Sequence, residues 1–223
     1  QERSGALVLD GGSGRSNTGW GWHADFSGRD ASDQRTPRFD SDGEWRSSVR
    51  NSASDGRAGA LGGSVFFGSG YAGVSVDDLR NHYGVTAEPD VNIRMQRQRV
   101  ATAGEWAAPG AAITKLTWQA SRNRYEHQEV EGDGAVGTTF KSRGSDGRLE
   151  ATHAALALGQ AKLSGVFGAQ WEQLDFSALG EEAFVPSTHT RQTGVFLLEQ
   201  LDLAGAQLTA GLRQERVTVR SEG

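Results

Sequence analysis

The chain has 223 residues, carries a net charge of -5 and is 36% hydrophobic, with a mean hydropathy of -0.54. No run reaches the ~18 consecutive apolar residues of a membrane helix, and the mixed charges leave no basic block for nucleic acid. The absence of Cys excludes disulfides and thiolate metal sites. Gly is abundant, at 31 residues, and Pro scarce, at 4, which argues against a disordered chain and suits closely spaced strands. Hydropathy alone describes a soluble protein, but a membrane strand needs an apolar residue only at every second position. The sequence opens at Gln1 without Met or an apolar leader, as expected after removal of a signal peptide or for an internal segment.

In chain order, strand-like segments alternate with breaks rich in Gly, Asp and Ser. Gln1 to Leu9 reads as a first strand, and Asp10 to Gly14 as a tight turn. In the segment Thr18 to Ala31, Trp20, Trp22, Ala24 and Phe26 share one parity and Gly19, Gly21, His23, Asp25 and Ser27 the other. That period of two makes one apolar and one polar face. A polar stretch runs from Ser32 to about Gly56. Leu61, Val65 and Phe67 mark the next strand, Gly68-Ser69-Gly70 a turn, and Ala72, Val74 and Val76 a strand with Gly73, Ser75 and Asp77 on its other face. Asn81 to Asp90 reads as a loop.

The same scheme continues. Val91, Ile93 and Met95 alternate with polar residues, a turn lies near Ala107 to Gly110, and Leu116, Trp118 and Ala120 alternate again. Glu126 to Gly137 reads as a polar loop. Leu149 and Ala151 alternate with Arg148 and Glu150, a turn lies at Ala157 to Gln160, and Leu163, Phe167, Ala169 and Trp171 define another apolar face. Ser177 to Thr190 reads as a loop, Gln192 to Leu201 as a strand apolar on both faces in its middle, Ala204-Gly205 as a turn, and Leu208, Ala210 and Leu212 as the last apolar stripe. Connections alternate short and long, as where periplasmic turns are short and extracellular loops long. Charges share one face in mid-strand, where a lipid-facing Arg or Lys would cost roughly 2–4 kcal/mol. The expectation is an all-β, antiparallel, up-and-down transmembrane β-barrel segment of about ten strands, because an open edge is not viable in lipid. The turns at Asp10, Gly68, Gly110, Gly159 and Gly205 should share one end of the sheet. Trp20, Trp22, Phe67, Trp118, Phe167 and Trp171 should face outward, and His23, Asp25, Gln119, Arg148, Glu150, Gln170 and Arg213 inward.

Four runs carry a family resemblance: Ser4-Gly5-Ala6-Leu7-Val8-Leu9-Asp10-Gly11-Gly12-Ser13-Gly14; Gly68 to Val76 leading to Asn81-His82-Tyr83-Gly84-Val85; Tyr125 to Gly132 closing at Val136 to Phe140; and Phe176 to Pro186. They resemble TonB-dependent outer-membrane receptors, most closely the zinc, haem and siderophore branch. The resemblance implies a barrel of about 22 strands plugged by a globular domain, in the outer membrane of a Gram-negative bacterium. It implies import of a scarce metal or metal chelate with energy from the TonB–ExbB–ExbD complex. Residues 1–223 would then be the early to middle part of the barrel, without the plug or the C-terminal strands. The expected partners are outer-membrane lipid, that complex through the plug, and an extracellular metal or chelate; no nucleic acid and no intrinsic cofactor is expected.

Within that reading the ligand-facing candidates are His82, Glu88, Asp90, His127, Glu129, Glu181 and His189, whose imidazoles and carboxylates suit a metal or its chelate. The competing explanation is a set of solvated acidic loops, since no HxH or HxxxH spacing is present. Asp40, Asp42 and Gly43 lack the remaining spacing of a calcium loop. Gly-x-Ser-x-Gly, His-Glu-x-x-His and Walker motifs are absent, so an enzyme is not expected. The alternatives are a passive porin and, from another class, a soluble β-sandwich binding module.

Overall fold

A computed structural model describes residues 1–15, 17–41, 43–88, 90–107, 112–180 and 183–222. Every regular element among them is a strand: β1 (Glu2–Arg15), β2 (Thr18–Ala31), β3 (Arg35–Ser41), β4 (Glu44–Ser48), β5 (Ser54–Phe67), β6 (Gly70–Gly84), β7 (Asn92–Ala107), β8 (Ile113–Val130), β9 (Val136–His153), β10 (Leu156–Leu158), β11 (Ala161–Gly180), β12 (Thr188–Leu203) and β13 (Ala206–Ser221). One antiparallel sheet runs β1-β2-β5-β6-β7-β8-β9-β11-β12-β13, with the short β10 also paired to β11. The hairpin β3–β4 stands apart. Since each main strand pairs with the next, the connections β1–β2, β5–β6, β7–β8, β9–β11 and β12–β13 leave the sheet at one end, and of the five expected turn residues Gly68, Gly159 and Gly205 lie in them.

The sheet is a single layer. No strand packs face to face on another among the described residues. Only Ile93, Val130, Ala151 and Ala178 form a buried apolar core there. A soluble sandwich hides its apolar faces between two sheets about 10 Å apart; here they lie open. Leu7, Trp20, Phe26, Leu61, Val74, Val100, Trp106, Leu149, Phe167, Trp171, Val195 and Leu212 are all exposed, and the strand registers put all of them on one face. A continuous apolar surface of that extent marks contact with lipid or another apolar partner. All the outward and inward assignments made from parity hold in the register. The polar face is the concave one: residues from β1, β2 and β5 through β9 on that side line a trough of about 660 Å³.

The apolar band crosses the sheet obliquely. Phe26 is its uppermost outward residue on β2. One row of register partners leads from Phe26 through Gly59, Asp78, Gln98, Arg124, Arg143, Asp175 and His189 to Arg220 on β13. On β13 the band begins only at Leu212, eight residues nearer the short turn, after eight strand steps. One residue of about 3.4 Å per strand spacing of about 4.8 Å is a tilt of roughly 35°, the inclination that strands of a closed barrel adopt.

Outward tryptophans explain part of the glycine content. Trp22 lies across Gly11, Trp118 across Gly104 and Trp171 across Gly147, each pair directly opposed in register. A Cβ added to any of these glycines would fall within the indole's van der Waals envelope. The ring covers the partner strand's backbone because nothing projects from it.

Several boundaries differ from the sequence reading. Asp10 to Gly14 is not a turn: it lies within β1, and pairing continues to Arg15 opposite Thr18. A polar, glycine-rich run resembles a turn locally, but here it is held by a complete ladder to β2. The loops expected at Asn81–Asp90, Glu126–Gly137 and Ser177–Thr190 shrink to 85–91, 131–135 and 181–187, and the polar stretch after Ser32 contains β3 and β4. Strands persist above the apolar band because cross-strand hydrogen bonds do not need an apolar face. The contrast in connection length is therefore weaker than expected. Residues 108–111, including the turn at Gly110, lie outside the described residues.

Candidate functional site

Above the band, the loops opposite the short turns are built on a polar scaffold. Asn51 adopts φ 53°, a left-handed conformation that Asn tolerates better than other side chains. Its Nδ2 donates to three carbonyls of the β6–β7 loop, Val85 at 3.1 Å, Glu88 at 3.0 Å and Val91 at 2.6 Å. Asp33 accepts from the backbone N–H groups of Ser52 and Ala53, each at 2.9 Å, and so fixes the segment carrying Asn51. Within the β6–β7 loop, Glu88 N–H donates to Val85 and Val91 N–H to Glu88, both at 3.0 Å. Asp90 lies against Gly132 of the β8–β9 loop, where an added Cβ would stand 3.0 Å from its own Cβ. In the outer hairpin, Arg46 donates to Glu44 at 2.7 Å and holds that carboxyl below the usual carboxylate range.

The sequence candidates divide between two faces. His127 and Glu129 project from β8 to the concave side. The His127 ring meets the Tyr125 hydroxyl at 3.0 Å and lies 4.6 Å from the Phe140 ring, while Glu129 stands opposite Thr138, which is 1% exposed. Glu88 and Asp90 lie in the β6–β7 loop, beyond the ends of β6 and β7. His82 and His189 belong to the outward face, His82 bonded to Asp55 at 3.2 Å and His189 to Asp175. Glu181 and Asp42 lie outside the described residues. Among the described residues no three His, Asp or Glu side chains are placed to hold a metal ion together.

Deeper on the concave wall the sequence reading named single residues but missed their partnerships. His23 stands between two carboxylates, Nδ1 2.6 Å from Asp10 and Nε2 2.9 Å from Asp25. Both ring nitrogens are thereby committed, leaving no lone pair for a metal. Ser121 donates to Asp146 at 2.5 Å. Arg148 donates through Nε to Glu150 at 2.8 Å and lies 4.5 Å above the Phe196 ring. Arg213 donates to Glu215 at 2.8 Å and reaches Gln170 at 3.5 Å. The inner wall is thus a lattice of alternating charge. It can hydrate, or dock onto a polar surface of mixed sign, without exposing a large field of one sign. Pairings across 13 to 43 positions depend on register; parity gives the face but not the neighbour.

No family model matches the chain, and no curated protein matches it in sequence. Among solved structures, the chain superposes on the outer membrane transporter YddB from Escherichia coli with a TM-score of 0.64 at 11% identity, over 97% of this chain and 34% of that one. It superposes on the copper transporter OprC with a TM-score of 0.64 at 13% identity, over 99% of this chain and 37% of that one. The chain therefore spans about a third of each neighbour. With its outward apolar band, concave polar wall and tilted up-and-down strands, it has the fold of a barrel segment of outer-membrane transporters.

Proposed function

We propose that the chain is part of a TonB-dependent receptor of the outer membrane, in which it forms about half of the barrel wall and helps import a metal or metal chelate. The observation that carries this reading is the oblique apolar band on a single-layer sheet: it suits tilted strands in a bilayer and would be a liability in water. The fold likeness to two outer-membrane transporters, one of them named for copper, supports it. In this reading residues 1–223 are barrel wall, and a plug and further strands come from elsewhere in the polypeptide. Strands β1 and β13 meet the rest of the barrel, lipid covers the outward face, and the TonB–ExbB–ExbD complex acts through the plug.

The segment's share of the ligand surface is His127 and Glu129 on the upper concave wall with Glu88 and Asp90 above them. His82 and His189, bonded to Asp55 and Asp175 on the outward face, remain rim candidates for contact with a chelate, and Glu181 remains a candidate from the sequence alone. The test is uptake of radiolabelled copper, iron chelate and haem by cells producing the full-length protein, with and without TonB. Uptake that requires TonB and falls several-fold in His127→Ala/Glu129→Ala supports the reading. Uptake that continues without TonB assigns a passive porin instead. TonB-dependent uptake unchanged by the double substitution removes the loop assignment alone.

A further inference from the structure

Above the apolar band, the outward face carries arginines that the sheet leaves unneutralised. Arg122 and Arg124 project from β8 and Arg143 from β9, all exposed and on the lipid side. Arg124 and Arg143 are directly opposed in register, an arrangement that places like charges side by side and destabilises a sheet unless compensated. None of the three makes an ion pair or hydrogen bond with another described residue. Asp175 stands opposite Arg143 on β11 but is bonded to His189. Directly below these cations the same face turns apolar, with Ala120 and Trp118 on β8 and Gly147 and Leu149 on β9. Arg143 and Lys141 also line a hollow of about 560 Å³ that extends towards β13.

We propose that Arg122, Arg124 and Arg143 form a binding site for the phosphate-bearing headgroup of an outer-leaflet glycolipid. Three features select that occupant. The cluster lies at the upper rim of the apolar band, where headgroups meet the barrel. Its net charge demands an anion, and guanidinium groups recognise phosphate through paired, charge-assisted hydrogen bonds. Acyl chains would lie on Trp118 and Leu149 while the phosphate spans the opposed arginines and offsets their repulsion. The ligand is a component of the membrane and not the transported cargo, and the site faces away from the concave wall.

This inference rests on the outer-membrane reading, and the two can fail separately. The full-length protein is reconstituted in phosphatidylcholine nanodiscs doped with bisphosphorylated lipid A or with the same lipid after enzymatic removal of both phosphates, and retained lipid is counted by native mass spectrometry. The expected result is a preference for the bisphosphorylated lipid of about tenfold, the order that charge-assisted contacts supply, lost in R122Q/R124Q/R143Q. The dephosphorylated arm uses unaltered protein, so the test stands even if the triple variant does not fold. No preference in the unaltered protein, or a preference that survives in a folded triple variant, overturns the site. A protein that does not enter nanodiscs at all overturns the outer-membrane reading itself.

Discussion

His153 Nε2 stands 3.1 Å from a carboxylate oxygen of Glu199, on the outward face of the sheet and across Gly165 of the intervening strand. The other ring nitrogen, Nδ1, donates to the Ala154 carbonyl at 2.7 Å. The contact with Glu199 therefore requires a second proton, held by the ring or by the carboxyl group. Leu163 and Leu201 flank the pair towards the short turns, and Phe167 and Leu197 on the other side. It is thus a polar pair inside an apolar band, tolerable only while each member satisfies the other.

The pair should accordingly behave as a unit. His153→Leu or Glu199→Leu alone should lower the resistance of the folded protein in lipid vesicles to urea, by about 2 kcal/mol for the polar group left without its partner. The double replacement by Leu should restore most of the loss. Equal and additive losses in a double-mutant cycle would show that the two side chains are not coupled.

The Trp–Gly pairs predict a steric response. Gly104→Ala and Gly147→Ala should each displace the overlying Trp118 or Trp171 and cost roughly 1–3 kcal/mol, with a shift in tryptophan fluorescence. Gly5→Ala, whose added Cβ meets nothing within 4 Å, should be close to neutral. Similar behaviour of all three variants would remove the pairing as an explanation of the glycine content.

Facing can be read without removing any native thiol, because the chain has no Cys. Single cysteines carrying spin labels at Leu61, Leu149 or Leu197 should be relaxed by oxygen dissolved in the bilayer. Labels at Gln119, Arg148 or Gln170 should respond to a water-soluble nickel reagent. Reversal of the two groups would overturn the membrane orientation of the sheet.

Asn51 should govern the β6–β7 loop at long range. Asn51→Ala removes a donor shared by three carbonyls and the side chain that tolerates positive φ, so amide exchange at Glu88 and Val91 should accelerate by at least about tenfold, the value of one net hydrogen bond or more. Asn51→Gly keeps the backbone freedom and loses the donor. Its exchange should match the alanine variant if the hydrogen bonds dominate, and the unaltered protein if the backbone conformation does.

Much of the fold was legible in the sequence because a half-exposed strand repeats with a period of two. Trp20, Trp22 and Phe26 gave their face directly, as did Leu163, Phe167 and Trp171. Termination was harder to read. Asp10 to Gly14 has the composition of a turn, and only its partners on β2 keep it extended. Glu126 to Val130 and Asn81 to Gly84 looked like loops because the outward face becomes polar above the apolar band while the ladder continues. The scaffold and the arginine cluster were less legible still. Asn51 reaches carbonyls 34 to 40 positions away, and Arg124 meets Arg143 only once β8 and β9 are aligned. The slope of the apolar band likewise needs the accumulated register of the strands from β2 to β13.

That slope makes the wall behave like a screw thread. Deleting one residue from a strand would turn every following side chain of that strand to the opposite face. Deleting two would preserve inside and outside but advance the thread by one pleat, about 7 Å along the strand. Length variation inside the strands should therefore come in even steps, each moving the rim and the loop it carries to a different height above the apolar band.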